Sequence, residues 1–372
     1  MSDQRPVSPL LDHCPQGLPR AVYVSTDWFA REQATIWAKN WVMIGRVSDL
    51  PQGRMRAVTV AGAPVLICRD PDGVISAFHN TCRHRGAELC SGEREMGKLI
   101  TCPYHAWAYA ASDERLISVG HATPTPDFIK DQNGLLPVPH VVWNGFLFLN
   151  LAGNGPLQPD MGLGALDNWP MDTLVTGHRS ERLLTCNWKV FWENFNECLH
   201  CPGIHPELCE RVPVYAQGIM AREEVANPTE SGTRLKANAQ SWTPSGAPCG
   251  PTFQNLTENQ RLAGANFVTL WPTGYIVAHV DHVRAVRLEP VSPTQTRLVA
   301  EWYFSPETLA QPGFEAANIA SFAQLVLDQD GDATEMNQRG LNSPAFTMGR
   351  LMPQEYDIHR FHQWVLQHME AK

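Results

Sequence analysis

Long hydrophobic runs are missing from this sequence: no apolar stretch reaches the roughly 18 residues that a membrane-spanning helix needs. The N-terminal residues also lack the apolar segment of an export signal, so we expect a cytoplasmic protein. Basic residues are too few for a nucleic-acid partner, since the formal net charge is −9 and no basic stripe is present. Internal repeats and low-complexity tracts are absent as well. What remains is a globular chain of 372 residues, long enough for two domains.

Cysteine, in contrast, is plentiful, with ten residues in the chain. In a cytoplasmic protein of this length, clustered cysteine and histidine indicate metal binding before they indicate disulfides. We therefore expect the cysteines to be metal ligands or packing residues.

The spacing of apolar residues predicts a change of structure along the chain. Residues 22–40 predict a helix that Ser25 or Thr26 caps. Short β-like runs at 57–60, 64–68, 74–78 and 145–151 predict a small antiparallel β domain. Strands are expected at 267–279, 283–289 and 296–304, and helices near 314–340 and 354–369. The last helix should bury one face, made of Ile358, Phe361, Val365 and Met369.

Two short loops carry a first candidate metal site. Cys82-Arg83-His84 is separated by seventeen residues from Cys102-Pro103-Tyr104-His105. Each loop offers one thiolate and one imidazole, so the two loops could hold a two-iron cluster from opposite sides. Imidazole ligands on one iron raise the reduction potential above that of an all-cysteine cluster. The alternative is a structural zinc site, but zinc sites usually keep like ligands together, whereas each loop here is mixed.

A second candidate metal site lies at residues 187–205. On a helix, Asn194, Glu197 and His200 would share one face, and His205 follows a Cys-Pro-Gly break. Two imidazoles and one carboxylate make the facial triad of non-haem Fe(II) sites. The alternative is a zinc knuckle formed by Cys198, Cys201, His205 and Cys209. If the iron site is right, the three cysteines are packing residues.

Both segments resemble the Rieske non-haem iron oxygenases. The run CRHRGAELC with CPYHAWAY, including Arg85-Gly86 and Trp107, resembles the Rieske ferredoxin-like motif, although Ala106 stands where the family usually has Gly. The Asn-Trp-Lys lead-in at 187–189 and the Glu-Asn-x-x-Glu-x-x-His-x₄-His spacing resemble the catalytic domain of the alpha subunits. The resemblance implies an α+β fold with a helical segment over 1–40, a Rieske antiparallel β domain over 41–155 and a catalytic domain with a helix-grip antiparallel sheet over 156–372.

The resemblance also implies the metal ligands. Cys82, His84, Cys102 and His105 would bind a [2Fe–2S] cluster. His200 and His205 would bind a mononuclear Fe(II) together with an acid of the late helix, where the run VLDQDGDATEMNQRGL resembles the family pattern. Alignment on Gln338 favours Asp330, with Asp328 and Asp332 as rivals.

Catalytic roles are assigned to Glu197 and Asn194. The family is commonly a homotrimer in which the cluster of one subunit serves the iron of its neighbour. Glu197 would then hydrogen-bond both His200 and the partner subunit's His105. Many members have Asp at this position. Glu resembles the subgroup that acts on quaternary ammonium compounds such as betaines and carnitine.

The implied activity is that of a mono- or dioxygenase. It would use O₂ and electrons that a separate flavin/iron–sulfur reductase takes from NAD(P)H. Hydroxylation of an N-methyl group would release formaldehyde and so demethylate the substrate or cleave a C–N bond. Some aromatic residues of the catalytic half could form a cage for the ammonium group, although aromatic residues in strands are more often core. The candidates are Trp242, Phe253, Phe267, Trp271, Tyr275, Trp302 and Tyr303.

Two other functions stay open at this point. One is a Rieske oxygenase that hydroxylates an aromatic ring or a side chain. The other is an electron-transfer protein with a decayed second site, which the intact set of His200, His205 and Asp330 opposes.

Overall fold

The computed structural model describes residues 9–153, 162–221, 224 and 235–370. The chain divides into two compact units, one formed by Trp37–Gln158 and the other by Met1–Ile36 together with Pro159–Lys372. The boundary predicted at 155 and 156 lies outside the described residues. No helix among the described residues is both long enough and apolar enough to cross a membrane.

The regular elements are numbered in chain order. The strands are β1 Gln16–Pro19, β2 Val42–Arg46, β3 Arg54–Val60, β4 Ala63–Arg69, β5 Ile75–His79, β6 Glu93–Glu95, β7 Leu99–Thr101, β8 Trp107–Ala110, β9 Leu116–Val119, β10 His140–Trp143, β11 Phe146–Leu149, β12 Val175–Leu184, β13 Ala265–Leu270, β14 Gly274–His279, β15 Val283–Ser292, β16 Gln295–Phe304 and β17 Met348–Arg350. The α-helices are α1 Ala21–Val24, α2 Thr26–Glu32, α3 Trp188–Phe195, α4 Cys201–Ile204, α5 Pro206–Arg211, α6 Glu258–Ala263, α7 Pro306–Leu309, α8 Ala316–Leu341 and α9 Tyr356–Glu370.

The unit over Trp37–Gln158 consists of small antiparallel sheets, as predicted. Its strand orders are β10-β11-β2, β5-β4-β3-β6 and β7-β8-β9. The four predicted β runs overlap β3, β4, β5 and β11. Leu66, Phe78 and Ile100 are fully buried, and the same core cluster includes Cys82 and Cys102. Each candidate ligand loop is therefore anchored to the apolar core through its cysteine.

The other unit is built on a five-stranded antiparallel sheet with the strand order β12-β16-β15-β14-β13, and β1 and β17 form a separate antiparallel pair. The long helix α8 packs on α3 and β12. The prediction of one strand over 267–279 is wrong, because the chain turns between β13 and β14. Pro272 lies in that turn, and proline has no N–H for a sheet ladder. The predicted helices near 314–340 and 354–369 are confirmed as α8 and α9, and the predicted apolar face of α9 is buried.

The prediction of a single helix over 22–40 is wrong. The segment forms α1, α2 and one turn of π-helix at Gln33–Trp37. Ser25 has an extended backbone, and its hydroxyl accepts a hydrogen bond from the backbone N–H of Trp28. A serine that caps a new helix cannot also continue the preceding one.

Candidate metal centres

The two loops of the first site have the same construction. Cys82 follows β5 and Cys102 lies between β7 and β8. In each loop the cysteine carbonyl accepts a backbone hydrogen bond from four residues ahead, from Gly86 and from Ala106 respectively. Both cysteines are buried, whereas His84 is exposed. The thiols therefore lie on the inner side of the site and an imidazole on the outer side.

The two histidines of the loops lie side by side. The ring centroids of His84 and His105 are 4.8 Å apart. Desolvation and the nearby His84 and Arg85 lower the pKa of His105 and favour its neutral, ligand form. Two buried thiols and two neighbouring imidazoles on opposed loops form the donor set of a Rieske cluster, so the residues fit that group.

Tyr109 is a residue of this site that the sequence did not reveal. Its hydroxyl lies 3.1 Å from Cys82 Sγ and accepts a hydrogen bond of 3.0 Å from the backbone N–H of Arg83. Because the phenol oxygen accepts from Arg83, the phenol proton can be donated to the sulfur of Cys82. Such donors to ligand sulfurs are one of the means by which a protein tunes a cluster. The only available sequence signal was its place two residues after Trp107.

Ala106 occupies a backbone position that suits glycine. Its φ is 57°, in the left-handed region. A side chain there is disfavoured by roughly 1–2 kcal/mol. The departure from the family's usual Gly therefore strains the loop locally but leaves both ligands of the loop in place.

The second site begins where α3 ends. Asn194 is on the last turn of α3, but Glu197 and His200 lie beyond the helix, so the prediction that all three share one helical face is wrong. Glu197 Oε2 accepts hydrogen bonds from the backbone N–H groups of Leu199 and His200. These bonds replace the helical pattern and fold Glu197 to His200 into a turn. The predicted Cys-Pro-Gly break is also wrong, since these residues begin α4.

Three donor atoms converge at this second site. His205 Nε2 lies 2.9 Å from Asp330 Oδ1, and His200 Nε2 lies 3.4 Å from the same oxygen. Adjacent ligands of an octahedral ion with bonds near 2.1 Å are about 3 Å apart, so this set fits a facial triad. Asp328 and Asp332 face Arg182 instead. Of the three candidate aspartates, Asp330 alone contacts the two imidazoles.

Side chains around the triad hold each imidazole by its other nitrogen. Glu197 Oε1 accepts from His200 Nδ1 at 2.5 Å. Gln329 Oε1 accepts from His205 Nδ1 at 2.8 Å. This leaves both Nε2 atoms directed at Asp330, which is the tautomer that a metal ligand needs. The sequence analysis missed Gln329, for which adjacency to Asp330 was the only signal.

Electrostatics couple these groups. Desolvation opposes charge on His200, but hydrogen bonds to Asp330 and Glu197 raise its pKa to about 9. Burial opposes the charge of Asp330 too, yet its bonds to His200 and His205 lower its pKa. Asn194 Nδ2 lies 3.4 Å from His200 Nε2, while its buried Oδ1 has no hydrogen-bond partner among the described residues.

The cysteines beside the triad are only partly as predicted. Cys198 and Cys201 are buried, as expected of packing residues, but they are joined by a disulfide that the sequence analysis did not predict. Cys209 is a free, half-buried thiol. The zinc knuckle is excluded as well, because two of its four ligands are bonded to each other. The three-residue spacing brings the two Cα atoms within 4.9 Å, a separation that a disulfide allows.

A cavity of about 330 Å³ adjoins the triad. His200, His205 and Asp330 form part of its wall. Three of the seven aromatic candidates line it, which are Trp242, Phe267 and Tyr275. Three further rings come from Phe195, Tyr215 and Tyr356. The four others, which are Phe253, Trp271, Trp302 and Tyr303, are buried or partly buried elsewhere.

Comparison with known proteins finds relatives that match most of the chain. The glycine betaine monooxygenase oxygenase subunit of Chromohalobacter salexigens is 28% identical over 364 residues, which cover 89% of this chain and 81% of the relative. The carnitine monooxygenase oxygenase subunit of Escherichia coli K12 is 28% identical over 94% of this chain and 93% of the relative.

Solved structures share the fold. The quaternary ammonium Rieske monooxygenase CntA in complex with L-carnitine matches with a TM-score of 0.73 and 22% identity over 96% of each chain. Naphthalene 1,2-dioxygenase from Rhodococcus sp. matches with a TM-score of 0.70 and 18% identity over 95% of this chain and 94% of the other. The prediction of a Rieske antiparallel β domain and a catalytic antiparallel sheet is thereby confirmed.

Family models account for both units. The Rieske [2Fe-2S] domain matches residues 40–128, which include both loops of the first site. The catalytic domain of the ring hydroxylating alpha subunit matches residues 171–371, more than half of the chain, and includes His200, His205 and Asp330. The chain therefore belongs to the ring hydroxylating alpha subunits of the Rieske oxygenases.

Proposed function

We propose that this chain is a terminal oxygenase that hydroxylates an N-methyl group of a quaternary ammonium compound of the betaine or carnitine type. The observation that carries the proposal is the convergence of His200, His205 and Asp330 in the wall of a cavity lined by aromatic rings. Aromatic faces attract quaternary ammonium groups. The names of the relatives, glycine betaine and carnitine monooxygenase oxygenase subunits, support the same substrate class.

The roles proposed for the ligands follow the family. Cys82, His84, Cys102 and His105 hold the [2Fe–2S] cluster. His200, His205 and Asp330 hold the mononuclear iron. We keep the predicted division into a helical segment over 1–40, a cluster domain over 41–155 and an iron domain over 156–372.

When bound, the two metal centres supply electron transfer and O₂ activation. Electrons are proposed to come from NAD(P)H through a separate reductase. One oxygen atom enters a C–H bond of the substrate, and the other leaves as water after uptake of two electrons and two protons. The resulting N-hydroxymethyl group releases formaldehyde, which amounts to demethylation. Hydroxylation next to nitrogen elsewhere in the substrate cleaves a C–N bond.

Residues of the chain orient the proposed iron ligands and line the cavity beside them. Glu197 and Gln329 each keep a proton on the Nδ1 atom of one histidine and so hold the Nε2 atoms on the site. Asn194 lies beside His200 Nε2, where its amide can position a ligand of the cavity. The aromatic rings limit water in the cavity and give the substrate a non-polar wall.

A homotrimer is the proposed assembly. In it Glu197 would also accept a hydrogen bond from the partner subunit's His105 and so connect the two metal centres. The trimer, this contact and the cytoplasmic location stay predictions.

Turnover with a surrogate reductase tests the proposal. Formaldehyde, trimethylamine, O₂ and NADH are measured with glycine betaine, carnitine, choline and an aromatic acid. We expect one product per O₂ and per NADH from a quaternary ammonium compound. Coupled turnover of the aromatic acid, with only uncoupled O₂ loss from every ammonium compound, would overturn the proposal.

The ligand roles are tested by metal analysis. Asp330→Ala should lose the mononuclear iron while the reduced cluster keeps its EPR signal. Asp328→Ala, two residues away and facing Arg182, is the matched control and should keep all iron. His84→Ala should abolish or alter the cluster signal. Equal iron contents in the two aspartate variants would refute the role of Asp330.

A further inference from the structure

Arg284 is a buried cation without a partner. It lies on β15, is 5% exposed, and its Nε atom has no hydrogen-bond acceptor among the described residues. No carboxylate of the described chain comes within ion-pair distance. Arg287, three residues along the same strand, shows the usual arrangement: it is equally buried and its Nη1 lies 2.8 Å from Glu301 Oε2. Of the other buried cations described, Lys189 pairs with Glu32, whereas Arg46 and Arg211 donate to backbone carbonyl oxygens. Arg284 has neither kind of acceptor among the described residues.

The position of Arg284 explains what its partner would be. Its side chain lines the cavity that also holds the triad. The guanidinium carbon lies 5.9 Å from the centroid of the Tyr275 ring, which stacks on Phe195 at 4.0 Å. A contact with one aromatic face compensates only part of the desolvation of a charge. The guanidinium of Arg284 therefore lacks an anionic partner, and an anion could reach it through the cavity.

The three acids of the cavity wall are already engaged. Glu197 and Asp330 bond the triad histidines, and Asp357 pairs with Arg360. None of them is paired with Arg284. A ligand must therefore bring the negative charge.

We propose that Arg284 binds a carboxylate of the substrate, so that the substrate is a zwitterion with an ammonium group and a carboxylate. This inference rests on the proposed function and narrows it. The planar guanidinium matches a carboxylate with two parallel hydrogen bonds. Trp242 and Phe267, whose centroids are 5.8 Å apart in the same cavity, offer faces for the ammonium group.

The arrangement discriminates against ammonium alcohols. Choline carries the same trimethylammonium group as glycine betaine but a hydroxyl in place of the carboxylate. Its binding would leave Arg284 unpaired and place a second positive charge in the same buried cavity. We therefore expect glycine betaine or carnitine to bind in preference to choline.

Binding to the holoenzyme tests the inference without turnover. Dissociation constants for glycine betaine, carnitine and choline are measured by calorimetry for the wild type, Arg284→Gln and Arg284→Lys. The Gln variant should bind the two zwitterions roughly 10- to 100-fold more weakly, as expected for loss of a charged hydrogen bond. Its dissociation constant for choline should be unchanged or lower. The Lys variant keeps the charge but not the fork, so it should lie between wild type and Gln.

Arg297→Gln is the matched control. It removes the same charge from the neighbouring strand β16, where Arg297 is 48% exposed, and should change no dissociation constant. Circular dichroism and the cluster absorbance show whether each variant is folded. If Arg284→Gln is not folded, the dissociation constants of Arg284→Lys decide whether the inference holds.

Two results would overturn the carboxylate site: equal effects of Arg284→Gln on choline and glycine betaine, or no effect on either. A different result separates it from the proposed function. If no ammonium compound binds the wild type but benzoate binds in an Arg284-dependent way, the carboxylate site stands and the ammonium substrate is wrong.

Discussion

Replacing Lys189 by methionine removes one half of an ion pair that is sealed from water. Lys189 Nζ lies 2.5 Å from Glu32 Oε1, and both side chains are fully buried. Glu32 also accepts hydrogen bonds from the indole nitrogens of Trp28 and Trp188. Burial lowers the pKa of Lys189 even though the Glu32 carboxylate opposes this shift. The variant would leave the carboxylate buried with neutral donors only.

The expected loss of stability is large because the carboxylate of Glu32 stays buried without its cationic partner. Removing one member of a buried pair costs about 3–5 kcal/mol. That is a substantial part of the 5–15 kcal/mol by which a typical domain is stable. Lys236 and Glu210 provide the matched control in the same unit: their N–O distance is also 2.5 Å, but their side chains are 40% and 74% exposed. Lys236→Met should cost no more than about 1 kcal/mol.

Urea unfolding of the holoenzyme, followed by tryptophan fluorescence, measures both variants. The twelve tryptophans, which include Trp28 and Trp188 beside Glu32, make the signal a report on unfolding of the chain. Adding Glu32→Gln to Lys189→Met should recover much of the loss, because the neutral amide can still accept from the indoles. The reasoning is refuted if Lys189→Met costs no more than Lys236→Met, or if the double variant is less stable than Lys189→Met.

Three further predictions concern the metal sites. Ala106→Gly should raise the free energy of unfolding by about 1 kcal/mol, since glycine tolerates the positive φ of 57°; a lower melting temperature would contradict this. Glu197→Gln should keep both metals and a reducible cluster but slow cluster oxidation in a single turnover, because the acceptor for His200 Nδ1 is weakened; a normal rate would make Glu197 an ordinary capping acid. Alkylation under denaturing, non-reducing conditions should leave Cys198 and Cys201 unmodified and linked in mass spectrometry, and modification of both would disprove the disulfide.

Local patterns predicted much of the fold. The apolar residues of α9 recur at helical spacing, and Ile358, Phe361 and Val365 are buried as expected. The same reasoning located α8 and six of the seventeen described strands, which are β3, β4, β5, β11, β15 and β16. It predicted Ser25 as a cap, which is confirmed, but not that this cap divides the segment into two helices. It failed at Glu197, whose side chain bonds the backbone beyond the end of α3 and replaces the helical pattern. Such competition depends on the side-chain conformation, which spacing does not encode.

Short segments of the sequence were enough to predict the chemistry of the two candidate metal sites. Their proposed ligands, except Asp330, lie close together along the chain, and the spacing limits what they can bind. Tertiary structure decided which acid joins His200 and His205, since only the packing of α8 turns Asp330 towards them and Asp332 towards Arg182. It also decided that Lys189 meets Glu32 while Arg284 meets no anion. The reason is physical: the desolvation and pairing of a charge depend on residues that lie far apart in the chain and become neighbours only in the folded protein.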